Sequence, residues 1–148
     1  MSPSSLHCRL RSAVLLLAGV IALAVPARAA EVVLVTSASG GLASLTVEEA
    51  SQLYLGRRTM LNDGTPVALF DLPSGPTRDR FYELLTGKNP SQIRAYWSRQ
   101  VFTGRALPPR EVKSSTDLPT LLMNDGAAIG YLPDGPIDPR LRVLLKLP

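Results

Sequence analysis

The chain has 148 residues, with 16 Lys and Arg against 12 Asp and Glu and a net charge of +4. Three of those cations (Arg9, Arg11 and Arg28), the only Cys (Cys8) and the only His (His7) lie within the first 29 residues. Without that stretch 13 cations face 12 acids, which excludes a general affinity for nucleic acid, and disulfides, thiol nucleophiles, imidazole bases and ordinary zinc sites are excluded with it.

The first predicted element is an export leader. Arg9 and Arg11 precede Ala13 to Val25, a run in which every residue is apolar or Gly, and Pro26-Ala27-Arg28-Ala29 follows. A short basic region, an apolar core and small residues at −3 and −1 are what the export peptidase requires, so the cut is expected after Ala29. As a helix the apolar run reaches only about 20 Å, short of the ~30 Å hydrocarbon core, which argues against an anchor. Cys8 precedes the apolar core and is no lipoprotein attachment site. The expectation is a cleaved signal peptide over 1–29 and one periplasmic domain over 30–148, long enough for a single core.

Glu31 to Thr36 is a short β-branched apolar run and predicts a buried strand. Ser37 to Gly41 reads as a flexible turn. Thr46 and Glu49 have the spacing of a capping box, opening a helix that stops at Gly56. Asn62-Asp63-Gly64 is a turn signal, and Val67 to Phe70 a second strand. Pro76 suits the first position of the next helix, which Gly87 ends. Asn89-Pro90 opens another, with Ile93, Trp97 and Val101 on one face and Gly104 as its stop. Arg105 to Lys113 reads as irregular. Ser114 and Asp117 are spaced as a cap pair for a short helix to about Met123. Ala128 to Leu132 is a third strand and Leu141 to Leu147 a fourth. Strands alternating with helices predict an α/β fold, a small mixed sheet flanked by helices, with the strand order left open.

Several segments together resemble a known family. Leu45 to Glu49 with Tyr54-Leu55-Gly56-Arg57-Arg58 is similar to the helix and F-L-G-K segment of the phosphate-type substrate-binding proteins of ABC transporters. Asp63 to Val67, Tyr96-Trp97 with Phe102-Thr103-Gly104, and Gly126 to Tyr131 follow in the family's order, the last resembling its P-G-A-I-G-Y signature. The resemblance implies one lobe of a type II periplasmic binding protein. Full-length members have two lobes around the ligand, and this chain has room for one. The family also holds its anion with an Arg and a Ser-Gly-Thr run at a helix start. The matching stretch here, Phe70 to Arg78, lacks the upstream Arg, carries Asp71 nearby and has Pro76 interrupting the run.

The candidate ligand-binding residues are Ser74, Gly75, Thr77 and Arg78, with Ser39. A Gly-containing turn at a helix N-terminus presents free amides and the positive dipole end. Ser74 and Thr77 have hydroxyls to donate, and Arg78 a charge to pair. The competing reading is a plain helix cap with Arg78 on a solvated face. Ser39 follows the first strand, where open α/β sheets gather ligands, and would line the same cleft as Ser74; the competing reading is a connection only. Arg57, Arg58, Arg105 and Arg110 make either a basic partner-contact surface or an ordinary soluble one. Trp97 and Tyr131 read as core, and Gly130 as a point of close backbone approach.

No carboxylate pair, nucleophile elbow or Walker-type loop is present, so no catalysis and no cofactor are expected. The sequence reading is a periplasmic substrate-binding-protein-like domain. Its expected partner is a small phosphate-like anion or a membrane transporter or receptor. The alternative is a protein-interaction module, a half-clamp that docks a partner or pairs as a homodimer.

Overall fold

The computed structural model describes residues 31–148, and the expected leader lies outside the described residues. Strand β1 (Val32–Ser37) is followed by α1 (Val47–Tyr54), β2 (Ala68–Asp71), α2 (Pro76–Thr86), α3 (Pro90–Phe102), β3 (Arg110–Glu111), α4 (Leu118–Met123), β4 (Ala128–Pro133) and β5 (Leu141–Leu147). The five strands form one mixed sheet in the order β3-β2-β4-β1-β5. β2 runs parallel to β3 and β4, whereas β1 runs antiparallel to both β4 and β5. All six residues of β1 are buried, as expected for an apolar strand covered on both faces.

The two faces can be assigned from alternation along β4. A Cβ on Gly130 would lie 2.8 Å from the Leu118 side chain, so α4 packs onto the face that Gly130 opens. Tyr131 points the other way and stacks on Phe81 of α2, with ring centroids 3.7 Å apart. Tyr54 of α1 meets both rings edge-on, and the sheet lies between helical layers.

The capping expectations for α1 and α3 are met. Thr46 accepts from the Glu49 amide while Glu49 accepts from the Thr46 amide, and Asn89 and Gln92 repeat this exchange at α3. Gly87 ends α2 in the left-handed conformation.

Four expectations need correction. Arg105 to Lys113 is not wholly irregular: Arg110 and Glu111 add a parallel edge to β2. Ser114 does not cap α4; Asp117 holds the cap position without a side-chain bond, and Ser114 is turned to the Thr116 hydroxyl. Val101 does not share the burial of Ile93 and Trp97, being 48% exposed. The Ser37–Gly41 turn is tied down. Ala38 donates to the Arg140 carbonyl, Arg142 donates back to the Ala38 carbonyl, and Gly40 abuts the Gly126 backbone so closely that a Cβ would overlap its carbonyl oxygen.

Candidate functional site

β2 delivers the chain to the start of α2. Its last residue, Asp71, is buried, although a carboxylate rarely is unless paired. Three donors converge on it. Arg78 Nε donates to one carboxylate oxygen at 3.0 Å, the Tyr82 hydroxyl donates to the same oxygen at 3.0 Å, and the Tyr131 hydroxyl donates to the other. Tyr131 in turn accepts from the Leu72 amide at 3.2 Å. The Arg78 guanidinium also lies 5.3 Å from the centre of the Tyr82 ring. The charges of Asp71 and Arg78 therefore cancel within the fold.

The phenols respond to this setting. Burial, reinforced by the Asp71 charge, pushes both Tyr82 and Tyr131 far above the ordinary tyrosine range. Burial also raises Tyr54, whose hydroxyl bridges the Phe70 and Ile129 carbonyls of the two parallel strands. Burial, the largest single influence, lowers the Arg78 pKa, but the Asp71 charge, its hydrogen bond and the Tyr82 and Tyr131 phenols together outweigh it and the net shift is upward. The Trp97 indole N–H stands near enough to Tyr82 to oppose its shift but reaches no acceptor with hydrogen-bond geometry.

Ser74 is exposed in the turn, Gly75 occupies the N-cap position in extended backbone, and Pro76 is the first helical residue. No side chain caps α2. The Asp79 amide makes the first intrahelical bond, to the Gly75 carbonyl at 3.0 Å. The Thr77 and Arg78 amides precede it and have no acceptor within the helix. Uncapped amides and the dipole end of an 11-residue helix are chemistry that suits a negative charge. The solvated-face form of the Arg78 expectation does not hold: its Nε donates to Asp71 and its side chain is 17% exposed.

Ser39 is not brought to this turn. β1 is antiparallel to β4 while β2 is parallel to it, so the carboxyl ends of β1 and β2 lie at opposite ends of the sheet. Ser39 sits beyond the Ala128 end, with its hydroxyl 2.8 Å from that of Ser37, whereas Asp71 and the α2 turn lie towards Tyr131 and beyond.

Of the four surface arginines, Arg58 and Arg110 line one small cavity with Leu107, and Arg110 lies 5.8 Å from the Phe70 ring centre. Sequence reasoning missed the convergence of Tyr82 and Tyr131 on Asp71. The available signal was an Asp ending an apolar strand seven residues before an Arg in the first turn of a helix. Among the described residues no three His, Cys, Asp or Glu side chains are placed to hold a metal, and no helix is long and apolar enough to cross a membrane.

No family model matches the chain, and no curated protein matches it. Solved structures do. An ABC-type phosphate transport receptor from Vibrio cholerae superposes with a TM-score of 0.59 at 17% identity, over 78% of this chain and 46% of that one. A candidate phosphate ABC transporter substrate-binding protein from Clostridium perfringens, crystallised with bound phosphate, matches at 0.59 and 18% identity over 78% and 45%. A possible phosphate-binding protein from Planctomyces limnophilus matches at 0.51 and 16% over 70% and 36%. The mixed sheet with its flanking helices is the lobe fold of these phosphate-binding proteins, and the chain spans about half the length of the first two.

Proposed function

We propose that this protein, built on the fold of one phosphate-binding-protein lobe, is a non-catalytic binding domain of the periplasm that takes a small phosphate-like anion at the start of α2. The observation that carries the reading is the helix end itself. Gly75 and Pro76 open α2 with no side-chain cap, leaving the Thr77 and Arg78 amides ahead of the first intrahelical bond, in a turn whose sequence carries Ser74 and Thr77. Because Arg78 already neutralises Asp71, the buried carboxylate does not repel the ligand. Arg78 shares its charge with Asp71 through Nε, so binding is weak and rests chiefly on Ser74, Gly75, Thr77 and the Arg78 amide. The leader expected over 1–29 supplies the address, and the expected recipient of the bound state is a membrane transporter or receptor.

The test is calorimetric titration of phosphate and of sulfate into the exported protein and into the Ser74→Ala/Thr77→Ala variant. Saturable millimolar binding that weakens by about fivefold or more in the variant supports the site, since two neutral hydroxyl bonds at 0.5–1.5 kcal/mol each are removed. Equal binding by both proteins, or no heat with either anion, removes it.

A further inference from the structure

The sequence holds three Asp-Gly dipeptides, Asp63-Gly64, Asp125-Gly126 and Asp134-Gly135. An Asp side chain places its Cγ one ring closure away from the amide nitrogen of the next residue. Gly shields that nitrogen least, since it has no Cβ and the widest backbone freedom. All three dipeptides are exposed, so burial does not separate them. What separates them is how the fold holds the two reacting groups.

At Asp63-Gly64 both groups are held. The Gly64 amide donates to the Leu61 carbonyl at 3.0 Å, and the Thr65 amide donates to Asp63 Oδ1 at 2.9 Å. At Asp125-Gly126 the Ala127 amide donates to Asp125 Oδ1 at 2.9 Å, and a Cβ on Gly126 would stand 3.3 Å from the Gly40 Cα, so the backbone there is boxed in. Asp134-Gly135 follows the end of β4 and is held differently. The Asp134 amide donates to the Glu31 carbonyl at 2.9 Å, which anchors the chain ahead of the reacting bond. Beyond it, the Gly135 amide donates to no acceptor among the described residues, and no atom lies within 4 Å of where a Gly135 Cβ would stand. The Asp134 carboxylate meets the exposed Lys146 ammonium at 2.8 Å, a tie that solvent screens. Backbone amides therefore hold the other two carboxylates, and a mobile side chain holds this one.

We propose that Asp134-Gly135 is a spontaneous modification site, at which the folded protein converts aspartate to isoaspartate through a cyclic imide. The Gly135 nitrogen gives up its proton and bonds to the Asp134 Cγ, and one carboxyl oxygen leaves as water. Water then adds back to the ring. Addition at Cγ breaks the new N–Cγ bond and restores Asp134. Addition at the main-chain carbonyl breaks the original peptide bond to Gly135, and the chain then runs through Cβ and Cγ. Water lost equals water regained, and nothing is oxidised or reduced. The product has one more main-chain methylene just past the Glu31 contact, and its carboxylate springs from Cα. Lys146, which now bridges Asp134 and Glu31, loses that geometry, and the join between the start of β1 and the ends of β4 and β5 loosens. Because exposed ion pairs contribute little, this loosening is local and leaves the rest of the fold intact. The proposal does not depend on the anion-binding reading.

The test is to hold the exported protein for several weeks at neutral pH in heavy-oxygen water, with a parallel sample unfolded in urea. Peptide mapping by mass spectrometry with electron-transfer fragmentation then separates isoaspartate from aspartate at each position. In the folded protein, isoaspartate and heavy oxygen at Asp134 should exceed those at Asp63 and Asp125 by at least about fivefold, and in urea the three sites should age at similar rates. Gly135→Ala should slow the reaction at Asp134 at least about fivefold, because a Cβ hinders the amide. Lys146→Met should speed it about threefold, because loss of the opposite charge lets the carboxyl protonate and release water more readily. Both substitutions fall on exposed residues, and circular dichroism checks that the variants keep the fold. Asp63 or Asp125 ageing as fast as Asp134 in the folded protein overturns the proposal. So does a preference for Asp134 that persists unchanged in urea, an absence of isoaspartate at Asp134 in the folded sample, or a rate indifferent to Gly135→Ala.

Discussion

Replacing Asp71 with Ala should be among the most damaging single changes in the chain. The carboxylate side chain is 4% exposed and its partner Arg78 17%, so solvent screens little of the pair. Removing it leaves a largely buried guanidinium whose remaining compensation is the face of Tyr82, and takes the acceptor away from the Tyr82 and Tyr131 hydroxyls. Breaking a buried pair from one side costs about 3–5 kcal/mol, and each stranded donor about 1–3 kcal/mol. These costs overlap, so the expected loss is about 4 kcal/mol. For a domain of this size that is a fall in Tm of roughly 15 °C. Asp71→Asn keeps one amide oxygen and should lose about half as much. Urea unfolding followed by circular dichroism and by the fluorescence of Trp97, the only Trp, measures both. The decisive control is Arg78→Met added to Asp71→Ala. It removes the uncompensated charge and should recover part of the loss. An Asp71→Ala protein within about 0.5 kcal/mol of the wild type, or no recovery in the double variant, would refute the reasoning.

The raised phenol pKa values predict alkaline sensitivity. Tyr54, Tyr82 and Tyr131 have folded values above the ordinary 10.0, so their contribution is complete below pH 10 and is lost as pH rises towards the folded values. Three such groups lower stability by about 4 kcal/mol at pH 11, and Tyr131→Phe should remove about a third of that slope; a midpoint flat to pH 11 would contradict it. Gly56→Ala should cost about 2–4 kcal/mol in urea unfolding. The residue has φ +66°, and a Cβ would stand 2.8 Å from that of Ala106 and 2.9 Å from the Trp97 ring. Full stability in that variant would mean that the Trp97 ring can move at no cost.

Much of the fold was legible because its signals are local. The Thr46–Glu49 box and the Asn89 cap each lie within four residues, and the apolar runs of β1, β4 and β5 are dense enough to need no partner for recognition. What was not legible depends on distant pairing. Arg110 and Glu111 carry no strand pattern and become β3 only because β2 offers them an edge. Asp71 reads only as a negative charge near the α2 turn, because its partners Tyr82 and Tyr131 lie 11 and 60 residues away. Ser39 was placed near Ser74 by a rule for parallel sheets. The antiparallel course of β1 sends its carboxyl end to the opposite edge. Of the candidate site, Ser74, Gly75 and Thr77 stand at the helix end as the turn chemistry implies, and the role of Arg78 changed because its acceptor was an internal carboxylate.

The most direct measurement of the central claim is a phosphate titration of the isotopically labelled protein followed by amide nuclear magnetic resonance. The anion-binding reading predicts saturable shifts concentrated on the Gly75, Thr77 and Arg78 amides, with the Ser37–Gly41 turn silent. Shifts that never saturate, or that scatter over Arg57, Arg94 and Arg105 while the α2 start stays still, would contradict it.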